Sequence, residues 1–184
     1  MSVTERPARL PGDTRHEDRV AAMLRVDHAG EYGAVRIYEG QLAVLGRGRA
    51  RDAVRHMGEQ EKRHLAAFDR LLAERRVRPT ALHPLWHVAG FALGAATALL
   101  GEQAAMACTV AVEEVIDEHY REQAERLGGD DPELASTIRE FHAHELEHRA
   151  VALEHGARET PGYDLIAGAV KAGSRLAIWL STRI

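Results

Sequence analysis

The sequence predicts an all-α protein, namely an antiparallel four-helix bundle with two accessory helices. Alanine, leucine, glutamate and arginine dominate the composition and aromatic residues make up only 5%, which favours helices. No segment alternates apolar and polar residues for long enough to indicate a strand. All six prolines fall where a helix is expected to begin or end. A chain of 184 residues is expected to form a single domain, residues 1–184.

The first two helices are predicted at residues 15–46 and 49–77, where they form an antiparallel hairpin. Gly46 lies at the expected turn, because glycine ends helices and allows a tight reversal of the chain. Prolines flank the hairpin on both sides. Residues 1–14, which precede the first helix, are expected to form a flexible tail.

The third helix is predicted at residues 84–100, inside an apolar segment (79–101) that contains no Asp, Glu, Lys or Arg. The segment is rich in Gly, Ala and Thr, so a membrane-spanning helix is a weaker interpretation than an internal core helix or an interfacial helix. Three arginines directly before it favour the interfacial interpretation, with contact to anionic lipid headgroups. The residues expected to contact lipid or to admit substrate are Leu85, Trp86, Phe91 and Leu93.

The fourth and fifth helices are predicted at residues 102–127 and 132–156, as a second hairpin with its turn at Gly129. The fifth helix starts at an Asp-Pro-Glu sequence, in which the aspartate caps the helix and proline takes its first position. A sixth helix is predicted at residues 162–182. Trp179 on it is expected to pack on the bundle, and a second contact with lipid is the alternative.

Two lone glutamates, each followed about thirty residues later by a Glu-x-x-His pair, predict a site for two metal ions. Positions i and i+3 of a helix share a face, so each pair presents a carboxylate and an imidazole in one direction. A lone glutamate on each partner helix completes the ligand set of di-iron and di-manganese four-helix bundles. Four inward carboxylates without cations would carry a severe desolvation cost. The expected ligands are Glu31, Glu61, His64, Glu113, Glu145 and His148.

The two halves of the sequence also match around these ligands. Tyr38 and Tyr120 each follow the lone glutamate of their half by seven residues, and a glutamine follows it by ten. This register selects Glu113 rather than its neighbour Glu114 as the ligand. Residues seven apart share one stripe of a helix, so both tyrosines are expected near the site, each on the side of its own turn. His28, three residues before the first lone glutamate, is a further candidate for the outer shell or for contact with substrate.

A zinc metalloprotease is an alternative interpretation of one of these motifs. The segment His144-Glu145-Leu146-Glu147-His148 fits the H-E-x-x-H pattern, in which the first glutamate is the general base. The first half has Gln60 where this segment has its first histidine, and the protease interpretation leaves the other ligands unexplained. We therefore favour the di-metal site.

Composition limits the remaining functions. The net charge of −4 gives no reason to expect nucleic-acid binding. The single cysteine, Cys108, excludes an internal disulfide and a Cys-x-x-Cys metal site. Acidic residues near the N-terminus, without an apolar core, argue against a signal or transit peptide. A location on the cytosolic side is therefore expected.

Several segments resemble the demethoxyubiquinone hydroxylases of ubiquinone biosynthesis. These are Arg25-Val-Asp-His-Ala-Gly-Glu-Tyr-Gly-Ala34 with Arg36-Ile-Tyr-Glu-Gly-Gln41, then Cys108-Thr-Val-Ala-Val-Glu-Glu114, His119-Tyr120 and Glu145-Leu-Glu-His148, in the family's order. The resemblance implies a ferritin-like di-iron monooxygenase whose ligands are the six residues given above. It also implies that His119 and Tyr120 assist electron or proton movement at the site.

The same resemblance implies a reaction, its cofactors and its partners. The ring of a polyprenylated demethoxy benzoquinone or quinol is expected to be hydroxylated with O2 at two iron ions, with electrons from NADH or from the quinol. Manganese uses similar ligands. Because the isoprenoid tail is nearly insoluble, the protein is expected to lie on the cytoplasmic face of a bacterial inner membrane or the matrix face of the mitochondrial inner membrane. A lipid-binding accessory protein is an expected partner, and an oligomer is compatible with the sequence.

Two other classes of protein share parts of this pattern. A ferritin-like ferroxidase or a peroxide-reducing di-iron protein uses the same ligand set, but such proteins have no need of an apolar, lipid-facing helix. Rubrerythrin-type reductases usually add a Cys-rich iron module, which this sequence lacks. A purely structural helical protein is the third class, and it would tolerate loss of the expected ligands.

Overall fold

The computed structural model describes residues 16–128 and 130–184, which form six α-helices and one short 3₁₀ helix, without a strand among them. The predicted all-α class is confirmed, and every predicted helix boundary lies within three residues of the observed one. The predicted tail (1–14) and the turn residue Gly129 lie outside the described residues. The elements are α1 (His16–Val44), α2 (Arg49–Glu74), α3 (His83–Leu99), α4 (Glu102–Leu127), α5 (Pro132–Glu154), the 3₁₀ helix (Ala157–Glu159) and α6 (Tyr163–Ser181).

The chain folds as two similar halves. In the first, α1 and α2 form a hairpin and α3 packs on α1. In the second, α4 and α5 form a hairpin and α6 packs on α4. The halves meet through contacts of α2 with α5, of α3 with α4 and of α1 with α6. Helices α1, α2, α4 and α5 thus form the bundle, and α3 and α6 are the accessory helices, as the sequence predicts.

The start of α5 is fixed by its capping residue. One carboxylate oxygen of Asp131 accepts a hydrogen bond from the backbone N–H of Leu134 at 3.1 Å, which satisfies one of the free N–H groups at a helix start. Arg75, at the end of α2, forms an ion pair with the same carboxylate and lies 3.4 Å from Glu133. Arg75 is one of the three arginines before the apolar segment, and its guanidinium is engaged by α5.

Helices α1 and α3 approach each other more closely than side chains would allow. A Cβ atom added at Gly94 would lie 1.9 Å from the backbone oxygen of Ile37, and one at Gly40 would lie 2.2 Å from that of Phe91. The glycines of α3 therefore serve backbone-to-backbone packing. Within the described residues, no α-helix combines the length and apolar character needed to cross a bilayer.

Two apolar clusters occupy opposite ends of the bundle and leave a polar layer between them. The cluster at the α1–α2 turn includes Val54, Met57 and Met106. The cluster at the other end includes Phe68 and Ile138. All of these side chains are at most 1% exposed. The predicted metal ligands lie in the layer between the clusters, so apolar side chains separate them from water at both ends.

Helices α3 and α6 expose large apolar side chains. Leu85 and Val88 on α3 are 50% and 65% exposed, and Leu176 and Trp179 on α6 are 56% and 52% exposed. The expectation that Trp179 packs on the bundle is wrong, because its ring lies on the surface with the guanidinium of Arg183 4.1 Å from its centre. These side chains form an apolar surface on the two accessory helices.

Candidate metal centre

The structure brings all six predicted ligands together. Two groups of buried side chains arise, and within each group one potential ligand atom per residue lies within 4.8 Å of the others. None of the six residues is more than 4% exposed. The first group contains Glu31, Glu61, His64 and Glu145, and the second contains Glu113, Glu145 and His148.

Glu145 belongs to both groups because its two oxygens face different histidines. Its Oε1 lies 3.2 Å from Nδ1 of His64, and its Oε2 lies 3.1 Å from Nδ1 of His148. Glu61 Oε1 lies 3.1 Å from Nδ1 of His148 and 4.0 Å from Nδ1 of His64. The two Glu-x-x-His glutamates therefore lie between the histidines, in positions where a carboxylate can bridge two ions. The lone glutamates lie at the outer sides.

The first group fits a cation because four of its potential ligand atoms lie close together and none of them makes a hydrogen bond. Oε2 of Glu31, Oε1 of Glu61, Nδ1 of His64 and Oε1 of Glu145 are buried and have no hydrogen-bond partner within the described structure. Buried polar atoms are normally paired, and leaving them unpaired is costly. Four lone-pair atoms that converge at such distances suit a divalent cation, and carboxylate with imidazole suits iron or manganese.

The charges of the protein groups lead to the same conclusion. Burial and the neighbouring carboxylates raise the pKa values of Glu61 and Glu113 well above their usual range. Burial favours the neutral form of Glu145, but the adjacent imidazoles of His148 and His64 outweigh it and lower the pKa of Glu145 to about 2. Burial likewise opposes protonation of His64, yet Glu145 and Glu31 raise its pKa to about 9. Without cations the layer must therefore hold protons, which metal ions would displace.

Both tyrosines contact the lone glutamates, each across to the other half of the chain. The Tyr38 hydroxyl donates a hydrogen bond to Glu113 at 2.9 Å, and the Tyr120 hydroxyl donates one to Glu31. Burial, followed by the charge of the nearby glutamates, raises the pKa of both tyrosines, so they remain donors. Since the two turns are at opposite ends of the bundle, the tyrosines approach the site from opposite ends.

The neighbour of Glu113 has a different environment. Glu114 forms ion pairs with Arg149 at 3.3 Å and with Lys171. It therefore joins α4 to α5 and α6 outside the ligand groups. This placement agrees with the register argument, which selects Glu113.

Two residues that hold the histidine rings by hydrogen bonds are not predicted for this role from the sequence. Nε2 of His148 lies 3.1 Å from the amide oxygen of Gln60, and Nε2 of His64 lies 3.0 Å from Nδ1 of His144. Each supporting residue directly precedes the glutamate of a Glu-x-x-His pair and reaches across to the histidine of the other half. The repeat itself was a signal for this pairing. Because His144 lies behind His64 and belongs to neither ligand group, the structure does not support the zinc protease alternative.

A small polar chamber adjoins the ligands on the α1–α4 side. It has a volume of about 20 Å³, and Asp27, His119 and Tyr120 line it together with four of the ligand glutamates. Nε2 of His119 lies 3.1 Å from Oδ1 of Asp27, which also accepts a hydrogen bond from the Gln123 amide at 2.7 Å. Burial raises the pKa of Asp27, and His119 and Gln123 oppose that rise. Asp27 was not predicted as a site residue, although it lies within the family-like motif.

His28 is not placed as predicted. Its Nε2 lies 2.9 Å from Asp69 of α2, and its ring stacks on that of His83 with ring centres 4.8 Å apart. The residue lines neither the chamber nor the apolar cavity beside it. His28 lies three residues before Glu31, but its side chain is directed towards α2 and α3. Its predicted contact with substrate is therefore not supported.

An apolar cavity of about 380 Å³ lies between α1, α3, α4 and α6. Trp86 and Leu93, seven residues apart on α3, line it as the sequence predicts. Leu85 and Phe91 do not, because α3 turns them away: Leu85 is exposed, and Phe91 lies under the guanidinium of Arg36, 5.1 Å from its ring centre. The cavity and the polar chamber share five lining residues, namely Val26, Gly30, Ala34, Ile116 and Ile178.

The fold is an all-helical, ferritin-like bundle, and inside it lie two groups of buried carboxylate and imidazole side chains that share a glutamate and could hold metal ions. The sequence family described as "Ubiquinone biosynthesis protein COQ7" matches residues 18–181, and the chain belongs to this family. The predicted family membership is therefore confirmed.

Relatives from bacteria and eukaryotes cover nearly the whole chain. The 3-demethoxyubiquinol 3-hydroxylase of Rhodospirillum rubrum is 60% identical over 177 residues, which are 96% of this chain and 84% of the relative. A human protein named NADPH-dependent 3-demethoxyubiquinone 3-hydroxylase, mitochondrial, is 49% identical over 187 residues (100% and 86%). The protein of the same name in Dictyostelium discoideum is 52% identical over 168 residues (90% and 77%).

Proposed function

We propose that the protein is a di-iron monooxygenase that hydroxylates the ring of a polyprenylated demethoxy benzoquinone or quinol in ubiquinone biosynthesis. The names of the relatives and the predicted reaction agree. The observation that carries the proposal is the pair of ligand groups that share Glu145, next to an apolar cavity that adjoins their polar chamber. A ferroxidase needs the first of these features but not the second.

The six ligand residues would hold two ferrous ions, which when bound supply the activation of O2 and its transfer to the ring. Tyr38 and Tyr120 hold the lone glutamates by hydrogen bonds. Gln60 and His144 orient the histidine rings, a task that outer residues commonly perform at metal sites. The apolar clusters at both ends of the bundle exclude water from the ligands.

The substrate would occupy the apolar cavity with its ring towards the polar chamber. A volume of about 380 Å³ falls within the usual range of small-molecule sites. The isoprenoid tail would leave between α3 and α6, past Trp86 and Leu176, which line the cavity. This direction leads to the apolar surface of the accessory helices. We therefore expect peripheral attachment to a membrane through that surface.

The electron source and the partners are also proposals. The relatives named NADPH-dependent favour a reduced nicotinamide nucleotide as reductant. A lipid-binding accessory protein would present substrate at the same apolar surface of α3 and α6. The mitochondrial names of the eukaryotic relatives suit the matrix face of the inner membrane, and the bacterial relative suits a cytoplasmic face.

The reaction can be tested with iron-loaded protein, a short-chain demethoxyquinol and ¹⁸O2. We expect one labelled oxygen atom in the ring of the product by mass spectrometry. The Glu61→Ala and Glu145→Ala variants should yield no labelled product. Oxidation of the ferrous ions without ring hydroxylation would contradict the proposal and favour the ferroxidase.

Membrane attachment can be tested separately. Charging two exposed leucines, with Leu85→Glu and Leu176→Glu together, should weaken flotation with anionic liposomes and leave iron content unchanged. Leu146→Glu is a matched control, because Leu146 is 41% exposed but lies on α5, away from the accessory helices. Equal flotation of the double variant and the native protein would refute this part of the proposal.

A further inference from the structure

The two halves of the site carry different side chains beside the candidate ligands. Asp27 and Thr109 occupy equivalent positions, four residues before the lone glutamate of each half. The equivalent glutamines contact them: Gln123 donates a hydrogen bond to Asp27 at 2.7 Å, and Gln41 lies 3.5 Å from Thr109 Oγ1. In the second half a neutral hydroxyl thus takes the place of the carboxylate, and Gln41 donates its shorter hydrogen bond to the backbone oxygen of Ala105 at 3.0 Å. A carboxylate at this position is not required by the bundle.

The histidine next to Asp27 also has no counterpart. His119 lies six residues after Glu113, and the equivalent position in the first half is Ile37. The ionisable pair Asp27 and His119 therefore occurs on one side of the site only. That is the side where the polar chamber adjoins the apolar cavity, and both residues line the chamber.

One oxygen of Asp27 has no protein partner. The residue is 3% exposed. Its Oδ1 accepts the Gln123 hydrogen bond and lies 3.1 Å from Nε2 of His119. Its Oδ2 is buried and has no hydrogen-bond partner within the described structure. A buried carboxylate oxygen in this state is costly unless a ligand supplies a donor.

Only one of the two redox forms of the substrate ring can supply the hydrogen-bond donor that Oδ2 of Asp27 lacks. A quinol carries hydroxyl groups, which donate to a carboxylate, whereas a quinone carries only carbonyl acceptors, which a carboxylate disfavours. We propose that Asp27, held by Gln123 and His119, binds a ring hydroxyl of the substrate and makes the site select the quinol over the quinone. This inference rests on the proposed function and specifies the redox state of its substrate, on which the names of the relatives differ.

The test uses Trp86, which lines the cavity, as the reporter of binding. The chain has two tryptophans, so the Trp179→Phe protein contains Trp86 alone. It is loaded with Mn(II), which uses similar ligands and avoids electron exchange with the ring. A demethoxyquinol and the corresponding quinone with two isoprene units are titrated without oxygen, and dissociation constants are taken from fluorescence quenching.

We expect the quinol to bind at least about tenfold more tightly than the quinone, as suits a hydrogen bond to a charged group. Asp27→Asn should reverse the order, because the amide keeps an oxygen for Gln123 and presents an N–H group that donates to a carbonyl. Thr109→Val, the substitution at the equivalent position of the other half, should leave the order unchanged. A purely structural role of Asp27 predicts weaker binding of both rings, without reversal.

Equal binding of the two rings by the Trp179→Phe protein, or preference for the quinone, would overturn the inference but leave the proposed reaction standing. An unchanged ratio in Asp27→Asn that retains its Mn(II) would overturn it as well. Should Asp27→Asn fail to fold, the ratio of the Trp179→Phe protein decides the question alone. Binding of neither ring would instead contradict the proposed function.

Discussion

Replacing Gln60 tests whether the residues behind the histidines control the metal site. The Gln60→Met variant keeps the length of the side chain and removes the amide oxygen that lies 3.1 Å from Nε2 of His148. Because Gln60 is 8% and His148 is 1% exposed, water cannot easily replace the lost partner. An unpaired buried donor costs about 1 to 3 kcal/mol. Metal affinity should therefore fall roughly ten- to hundredfold.

The loss should be confined to one of the two ions. His148 belongs to the group with Glu113 and Glu145, whereas His64 belongs to the other group and is supported by His144. Titration of Mn(II) against a chelator should thus show two binding phases in Gln60→Met. The affinity of the weaker phase should be below that of the native protein, and the affinity of the tighter phase should equal it. Gln103→Met is a suitable control, since Gln103 contacts Glu159 far from the ligands. Native affinity for both ions in Gln60→Met would refute the assigned role of this residue.

Three further predictions follow from the packing and charges. Gly94→Ala should lower the free energy of unfolding by about 2 kcal/mol or more in chemical denaturation, since its Cβ would lie 1.9 Å from a backbone oxygen. The control is Gly168→Ala, whose Cβ would have nothing within 4 Å and which should raise the free energy of unfolding by up to about 1 kcal/mol. Equal effects of the two substitutions would contradict the close α1–α3 contact. The raised pKa values of Glu61 and Glu113 mean that the folded apoprotein holds protons that the unfolded chain releases above about pH 4.3. Its melting temperature should therefore fall as pH rises from 5.5 to about 8.5, and Mn(II) should abolish that fall; a flat profile without metal would contradict the protonated layer. Glu113→Gln should reduce bound metal as measured by elemental analysis, whereas Glu114→Gln should leave it at the native level, and the opposite result would show that the register was misread.

The sequence predicted that the six candidate ligands lie close together because two simple regularities determine their placement. Helix periodicity places Glu61 and His64 on one face, and a hairpin brings residues equidistant from its turn to the same height. The repeat of both patterns in the second half argued against a chance match. The charge-free composition of the third helix likewise distinguished it from the four helices of the bundle.

The remaining site residues depend on how each helix is rotated against its neighbours, which periodicity within one helix does not determine. His28 was expected near the site, but α1 turns it towards Asp69. Phe91 was expected at the substrate entrance, but α3 turns it towards Arg36. Asp27 gains its role only because α1 lies against α4, where His119 and Gln123 meet it.

The glycines of α3 show the same limit. In the sequence they weakened the case for a membrane-spanning helix and said nothing about a partner. In the structure Gly94 allows contact with the backbone of α1. This contact sets the rotation of α3 and so selects Trp86 and Leu93, rather than Phe91, as the wall of the cavity.

The central claim is that this bundle holds two ions that share Glu145. Anomalous X-ray diffraction from crystals of the iron-loaded protein tests it most directly. We expect two iron peaks roughly 3.5 to 4 Å apart, with one oxygen of Glu145 at each ion and His64 and His148 on different ions. A single peak, or iron bound away from Glu145, would contradict the account.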